Sequence, residues 1–197
     1  MKNFWIQFAV KVIAIVLMLA IDLLTKIYFQ NYFESGGADI TLINNILGVT
    51  YTINTGAAFG IFGNNTIMLI IFTVVFLVVF SFIDLYYRTN NGWYIAGFSL
   101  IVGGAMGNFI DRIFLGGVRD FIEFRFIDFP IFNFADIFLT VGVICYIIYL
   151  VFYEFKSSKT GPKDITKEEN IDWVCYWSSA QQSKIGCFLV WKGFQFY

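Results

Sequence analysis

Four stretches of this chain are apolar for about the length a helix needs to cross a bilayer, and no other feature constrains the fold as much. They cover residues 5–24, 66–83, 93–113 and 131–153. A bilayer core of about 30 Å takes about 20 helical residues. Composition agrees: 58% of the residues are hydrophobic and 14% charged, against about 45–50% and about 25% in soluble domains. The first run has a short basic start like that of a signal peptide, yet no A-x-A site follows it. Leu19-Ala20-Ile21-Asp22 continues into Thr25-Lys26, so it reads as a retained span. The expected fold is an all-α membrane protein, a four-transmembrane-helix bundle.

What the chain lacks narrows its chemistry. It has no histidine, which removes Ser-His-Asp triads, Cys-His pairs, HExxH zinc sites and His-ligated haem. A net charge of -1 speaks against nucleic acid as a partner, since such binders present a basic face. Cys145, Cys175 and Cys187 form no CxxC, so no structural zinc site is expected. The two tail cysteines could pair, although free thiols fit their spacing better. Any catalysis falls to carboxylates, Lys, Tyr, Ser or the backbone. Ser81 and Ser99 lie inside spans without a G-x-S-x-G context, which disfavours serine chemistry.

Cations flank the runs unevenly. Lys2, Arg88, Lys156, Lys159, Lys163 and Lys167 fall on one side, and Lys26, Arg119 and Arg125 on the other. The excess puts both termini in the cytoplasm. Segment 27–63 then lies outside. Its β-prone stretches 40–43 and 49–53, separated by Asn44-Asn45 and Gly48, suggest a small extracytoplasmic β-rich cradle. The catalytic membrane domain is expected over residues 1–155, with a charged, then aromatic, cytoplasmic tail of unknown role over 156–197.

With that topology the unusual polar residues gather at one membrane face: Asp22 and Lys26, Asn54 to Gly60, Asn108 to Arg112, Asn133 and Asp136, and the loop carrying Asp120. Charges near a membrane are costly and generally face a cavity or a partner. Sixteen residues, with Pro130 among them, separate Asp120 from Asp136, so a returning loop can bring both carboxylates to one point. Two such groups sharing a proton can activate water. Glu123, Asp128 and Asp111 compete as partners. Asp136 also fits a plain helix-start carboxylate, and Asn133 shares its helical face. Asp111 can pair with Arg112 or Lys26. Asn108 and Arg112 line one face, and Gly103 and Gly107 form a GxxxG packing element. The turn from Asn54 through Gly56 has no phosphate-loop Lys but suits an extended peptide.

The boxes Asp22-Leu23-Leu24-Thr25-Lys26, Asn54-Thr55-Gly56-Ala57-Ala58-Phe59-Gly60, Gly107-Asn108-Phe109-Ile110-Asp111-Arg112, Val118-Arg119-Asp120-Phe121 and Phe132-Asn133-Phe134-Ala135-Asp136 together resemble the lipoprotein signal peptidase (signal peptidase II) family over about residues 8–153. The resemblance implies a bacterial plasma-membrane aspartic endopeptidase with no metal or cofactor. Its substrate would be a prolipoprotein already carrying diacylglycerol on its lipobox cysteine, cut just before that cysteine. It implies Asp120 and Asp136 as the catalytic dyad and Asn54, Gly56, Asn108, Arg112 and Asn133 as substrate-positioning residues. Asp22, Lys26 and Asp111 would support the site. The expected partners are lipidated prolipoproteins and membrane lipid, met by a monomer whose site faces outward. Families of this kind end soon after the fourth span, and the tail departs from that pattern. Two other classes fit the composition less well: an oligomeric scaffold held by the GxxxG face, and a transporter lined by Asp136 and Arg112. The one-sided clustering of polar residues and the lack of an inverted repeat oppose the transporter.

Overall fold

The structure, a computed structural model, describes residues 2–56, 65–87 and 89–154. The tail beyond, with the Cys175 and Cys187 question, and residues 57–60 of the small-residue turn lie outside them. Four helices dominate: α1 (Lys2–Glu34), α2 (Thr66–Tyr87), α3 (Gly92–Leu115) and α4 (Phe134–Tyr149). A π-helical turn, Leu150–Glu154, extends the last. Each is long and apolar enough to cross a membrane. Three strands, β1 (Ile40–Ile43), β2 (Leu47–Asn54) and β3 (Val118–Phe124), form one antiparallel sheet in the order β1-β2-β3.

The helices differ sharply in their surroundings. Of the α3 span, 61% is buried inside the protein, against 17% or less of the other three. Small residues explain this. A Cβ on Gly97 would sit 2.9 Å from the Tyr146 backbone nitrogen, and one on Gly142 would sit 2.8 Å from that of Ile101. α3 and α4 therefore approach backbone to backbone, as small-residue faces allow. Gly103 lies against Met18 of α1, and Gly104 and Gly107 against Ala135 of α4. Around them Phe80, Tyr94, Phe98, Ile101, Val102 and Tyr149 make a core. By contrast α2 exposes Ile67, Phe72, Val75, Val79 and Phe82, as a helix facing acyl chains would.

Local signals set the ends of α3. Asn91 accepts from the backbone N–H groups of Trp93 and Tyr94, capping the helix start. Gly116, at φ 70°, takes the left-handed conformation that ends it. At this capped start Lys11 of α1 pairs with Asp84 of α2. The Lys11 ammonium also lies 5.4 Å from the ring centre of Tyr94 and 5.0 Å from that of Phe98.

Two expectations are corrected. The first helix runs on to Glu34, so residues 27–34 are helical and do not belong to the β-rich segment. The apolar run stops at Leu24, but Phe29 and Phe33 continue one face of the helix at i,i+4, stacking on Phe121 and Tyr51. The stretch holding Asp120 is no loop. It is β3, which pairs with β2 at Thr52↔Asp120 and Asn54↔Val118. The two β-prone stretches of 40–43 and 49–53 are strands, as their composition suggests.

Candidate active site

Three elements deliver the polar residues to one point. β3 follows the α3 C-cap directly and lies beside β2. Phe132, just before α4, then bridges to β3, its carbonyl accepting from the Phe121 and Ile122 N–H groups at 3.1 and 2.8 Å. That bridge draws the start of α4 against the strand carrying Asp120.

Asn133 caps α4, and the cap includes the acid. The Asn133 side chain accepts from the Asp136 N–H at 3.1 Å, while Asp136 Oδ2 accepts from the Asn133 N–H at 3.1 Å. This reciprocal capping box makes the helix-start reading of Asp136 correct, and the acid's other oxygen is still available. Asn108 Nδ2 of α3 donates to Asp136 Oδ1 at 2.8 Å. Asn133 Nδ2 donates to Asp120 Oδ1 at 2.6 Å, and Asn54 Nδ2 donates to Asp120 Oδ2 at 3.1 Å. Asn133 Nδ2 also reaches Asn108 Oδ1 at 3.1 Å. A chain of amides thus runs from one carboxylate to the other.

Behind this chain lies a buried charge network. Lys26 Nζ donates to Asn108 Oδ1 at 2.9 Å and pairs with Asp22 at 2.8 Å and Asp111 at 3.4 Å. Asp22 Oδ1 accepts from the Ala135 N–H at 2.9 Å, inside the first turn of α4. Its other oxygen lies where a Cβ on Gly107 would have to go, so glycine there makes room for the carboxylate. Of the two partners expected for Asp111, Lys26 is the one present, and Arg119 is added where Arg112 was the alternative. Arg119 grips Asp111, with Nη2 on Oδ1 at 2.6 Å and Nε on Oδ2 at 3.2 Å. Arg119 follows a tight turn and points back along α3, geometry that residue spacing alone does not reveal.

In front of the chain opens a cavity of about 510 Å³, lined on its polar side by Asn54, Gly56, Asn108, Arg112, Asp120 and Asp136. Phe124, Phe129, Phe132 and Leu139 are among its apolar lining. Six of the ten residues singled out from sequence meet the cavity. Asp22, Lys26 and Asn133 have no exposed surface and Asp111 is 1% exposed; these four stand behind it. Of the competing carboxylates, Asp111 is held by Arg119, Glu123 pairs with Arg125 at 2.9 Å, and Asp128 is exposed. Burial pushes the Asp120 carboxyl up, and the charge of Asp136 pushes it further, to about 7, against the lowering effect of Asn54, Asn133 and Lys26. A carboxyl at that value holds or gives up a proton near neutral pH, as a hydrolytic acid pair requires.

Known proteins resemble this chain in sequence and in fold. The family model for signal peptidase (SPase) II matches residues 14–152. A lipoprotein signal peptidase of Clostridioides difficile is 40% identical over 149 residues, 74% of this chain and 97% of its own length. One from Enterococcus faecalis is 42% identical over 119 residues, 60% of this chain and 73% of its own. A bacterial membrane enzyme solved by the in meso method at 2.3 Å resolution superposes with a TM-score of 0.68 at 32% identity, covering 78% of this chain and 93% of that one. A second, at 1.9 Å resolution, gives 0.63 at 34% identity over 73% and 93%. With four apolar helices and these relatives, this is a bacterial membrane protein. The chain belongs to the signal peptidase II family, the lipoprotein signal peptidases, which are aspartic peptidases that remove signal peptides from prolipoproteins.

Proposed function

We propose that this chain cuts diacylglyceryl-modified prolipoproteins just before the lipidated cysteine, with Asp120 and Asp136 as the catalytic pair. The observation that carries this reading is the convergence of two carboxylates on one cavity, each held by an amide of the Asn108–Asn133 chain. One carboxylate takes a proton from water as its oxygen attacks the scissile carbonyl carbon. The other, protonated, gives its proton toward the carbonyl oxygen. When the C–N bond breaks, the first carboxyl gives its proton to the leaving nitrogen and the second carboxylate takes one back from a hydroxyl of the tetrahedral intermediate as the carbonyl re-forms, so the pair returns to its starting state. The two acids titrate as one unit. Asn54, Gly56, Asn108 and Arg112 meet the peptide, Asn133 holds both acids, and Asp22, Lys26 and Asp111 keep the frame. No metal or cofactor takes part.

In this reading all four apolar helices span the membrane with both termini cytoplasmic, and the sheet and cavity sit at the outer face. The three-stranded sheet is the cradle for the peptide. The apolar wall of the cavity suits acyl chains arriving sideways from lipid. Residues 1–155 suffice for catalysis, and the enzyme works as a monomer. The test is cleavage of a lipidated against an unlipidated lipobox peptide by the full chain, with Asp120→Asn and Asp136→Asn as controls. Cleavage of the lipidated peptide alone is expected, with a loss of at least about 1,000-fold in either variant, within the range of acid–base contributions. Full activity in one variant would remove that residue from the pair.

A further inference from the structure

Arg119 has no place on the cavity, yet it adjoins Asp120 and is only 7% exposed. We propose that Arg119 is a positioning residue for Asp120, acting through Asp111 and Gln30. This rests on the reading of Asp120 and Asp136 as the catalytic pair.

Three observations carry it. First, Arg119 is tied down along its whole length. Besides its two side-chain bonds to Asp111, its backbone N–H donates to Asp111 Oδ2 at 3.1 Å and its Nη1 donates to Gln30 Oε1 at 3.0 Å. Its carbonyl accepts from Asn133 Nδ2 at 3.4 Å. Successive strand side chains point to opposite faces. Fixing Arg119 toward α1 and α3 therefore turns Asp120 toward the cavity.

Second, the strand pairing beside Asp120 is irregular. Between Val49↔Ile122 and Thr52↔Asp120, β2 has one more residue than β3. Such a bulge weakens the ladder where the acid needs a fixed position. Arg119 supplies the missing constraint from the other side, anchoring β3 to two helices.

Third, Arg119 shares Asp111 with Lys26. Lys26 also donates to Asn108, which in turn holds Asp136. Withdrawing the guanidinium leaves Asp111 to draw Lys26 away from Asn108, so both acids feel the change. The planar fork of Arg matches both carboxylate oxygens and Gln30 together, and Lys cannot.

The experiment uses the full chain and a diacylglyceryl-modified lipobox peptide, comparing Arg119→Lys and Arg119→Gln with the parent. The folded fraction is measured by thermal unfolding in the same detergent. Per folded enzyme, kcat falls by about 10- to 100-fold and KM changes by less than about 2-fold, since the cavity lining is intact. The alkaline limb of the pH–rate profile also moves. The charged groups that shape this limb around Asp120 are Asp136 on α4, Lys26 on α1 and Arg112 on α3; Arg119 itself faces Asp111 and Tyr51, and Tyr51 in turn faces Glu34. All remain in place in the variants. Arg119→Lys is expected to retain more activity than Arg119→Gln.

Unchanged kcat and pH profile would overturn the proposal. So would activity lost only in proportion to folded protein, including a failure of Arg119→Lys to fold, because that is a structural role. Asp120→Asn separates the two readings. If it stays active, the catalytic assignment fails and this proposal with it. If it is inactive while Arg119→Lys matches the parent, only the role of Arg119 fails.

Discussion

Among the described residues, buried charge occurs at two places on the bundle, and they are built on opposite principles. Near the α3 N-cap, Lys11 and Asp84 form a single balanced pair, with the rings of Tyr94 and Phe98 beside the ammonium. At the α3 C-terminal end, four carboxylates (Asp22, Asp111, Asp120, Asp136) converge with three cations (Lys26, Arg112, Arg119). The carboxylates there outnumber the cations by one, and the Asp120 carboxyl among them is pushed up to about 7. The first place joins α1 to α2. The second holds the Asp120 carboxyl closer to its protonated form than water would. A buried pair can be satisfied and inert, whereas an unbalanced cluster keeps a proton exchangeable.

The two places should therefore respond to neutralisation with opposite signs. Asp120 has its carboxyl raised from 3.8 to about 7 in the folded protein. The folded state then binds more protons than the unfolded chain between about pH 4 and pH 7. Stability should fall as pH rises through that window, and Asp120→Asn should remove the fall. Unfolding in detergent is expected to show the variant more stable at pH 8, by on the order of 2–4 kcal/mol, and similar to the parent near pH 4. A variant less stable than the parent at pH 8 would break the contrast.

Lys11→Met should do the reverse. It strands the Asp84 carboxylate, whose side chain is 15% exposed, and should cost about 2 kcal/mol. Cleavage per folded molecule should stay within about 2-fold of the parent. A 10-fold loss in kcat would show that the two places are coupled. The smallest effect is expected at a third pair. Arg125 and Glu123 are 26% and 33% exposed, so Glu123→Gln should change stability by less than about 1 kcal/mol and leave the pH window intact.

Much of this was legible in the sequence because membrane helices announce themselves locally. Each apolar run became a helix, and the small residues of 97–107 marked the helix that others pack against. The cavity lining was legible too, since Asn54, Asn108, Arg112, Asp120 and Asp136 stand at the borders of those runs. What escaped depends on distant pairing. β3 reads as a polar loop because its partner, β2, lies some 66 residues earlier in the chain, as the Asn54–Asp120 bond records. The Arg119–Asp111 grip requires a chain reversal at Gly116 and Gly117 whose direction no local pattern gives. The helical extension to Glu34 was written in Phe29 and Phe33, aromatic residues spaced for a helix but outside an apolar run.

The capping box at the head of α4 has one more consequence. Asp136 uses one oxygen to finish its own helix and the other to receive Asn108. Its rotamer is thereby chosen when the chain folds, before any peptide arrives. Substrate binding need not freeze this side chain, so no affinity is lost to ordering it. On the proposed reading of Asp136 as one of the catalytic pair, a sequence that keeps α4 properly started has, by the same bonds, already aimed that carboxylate.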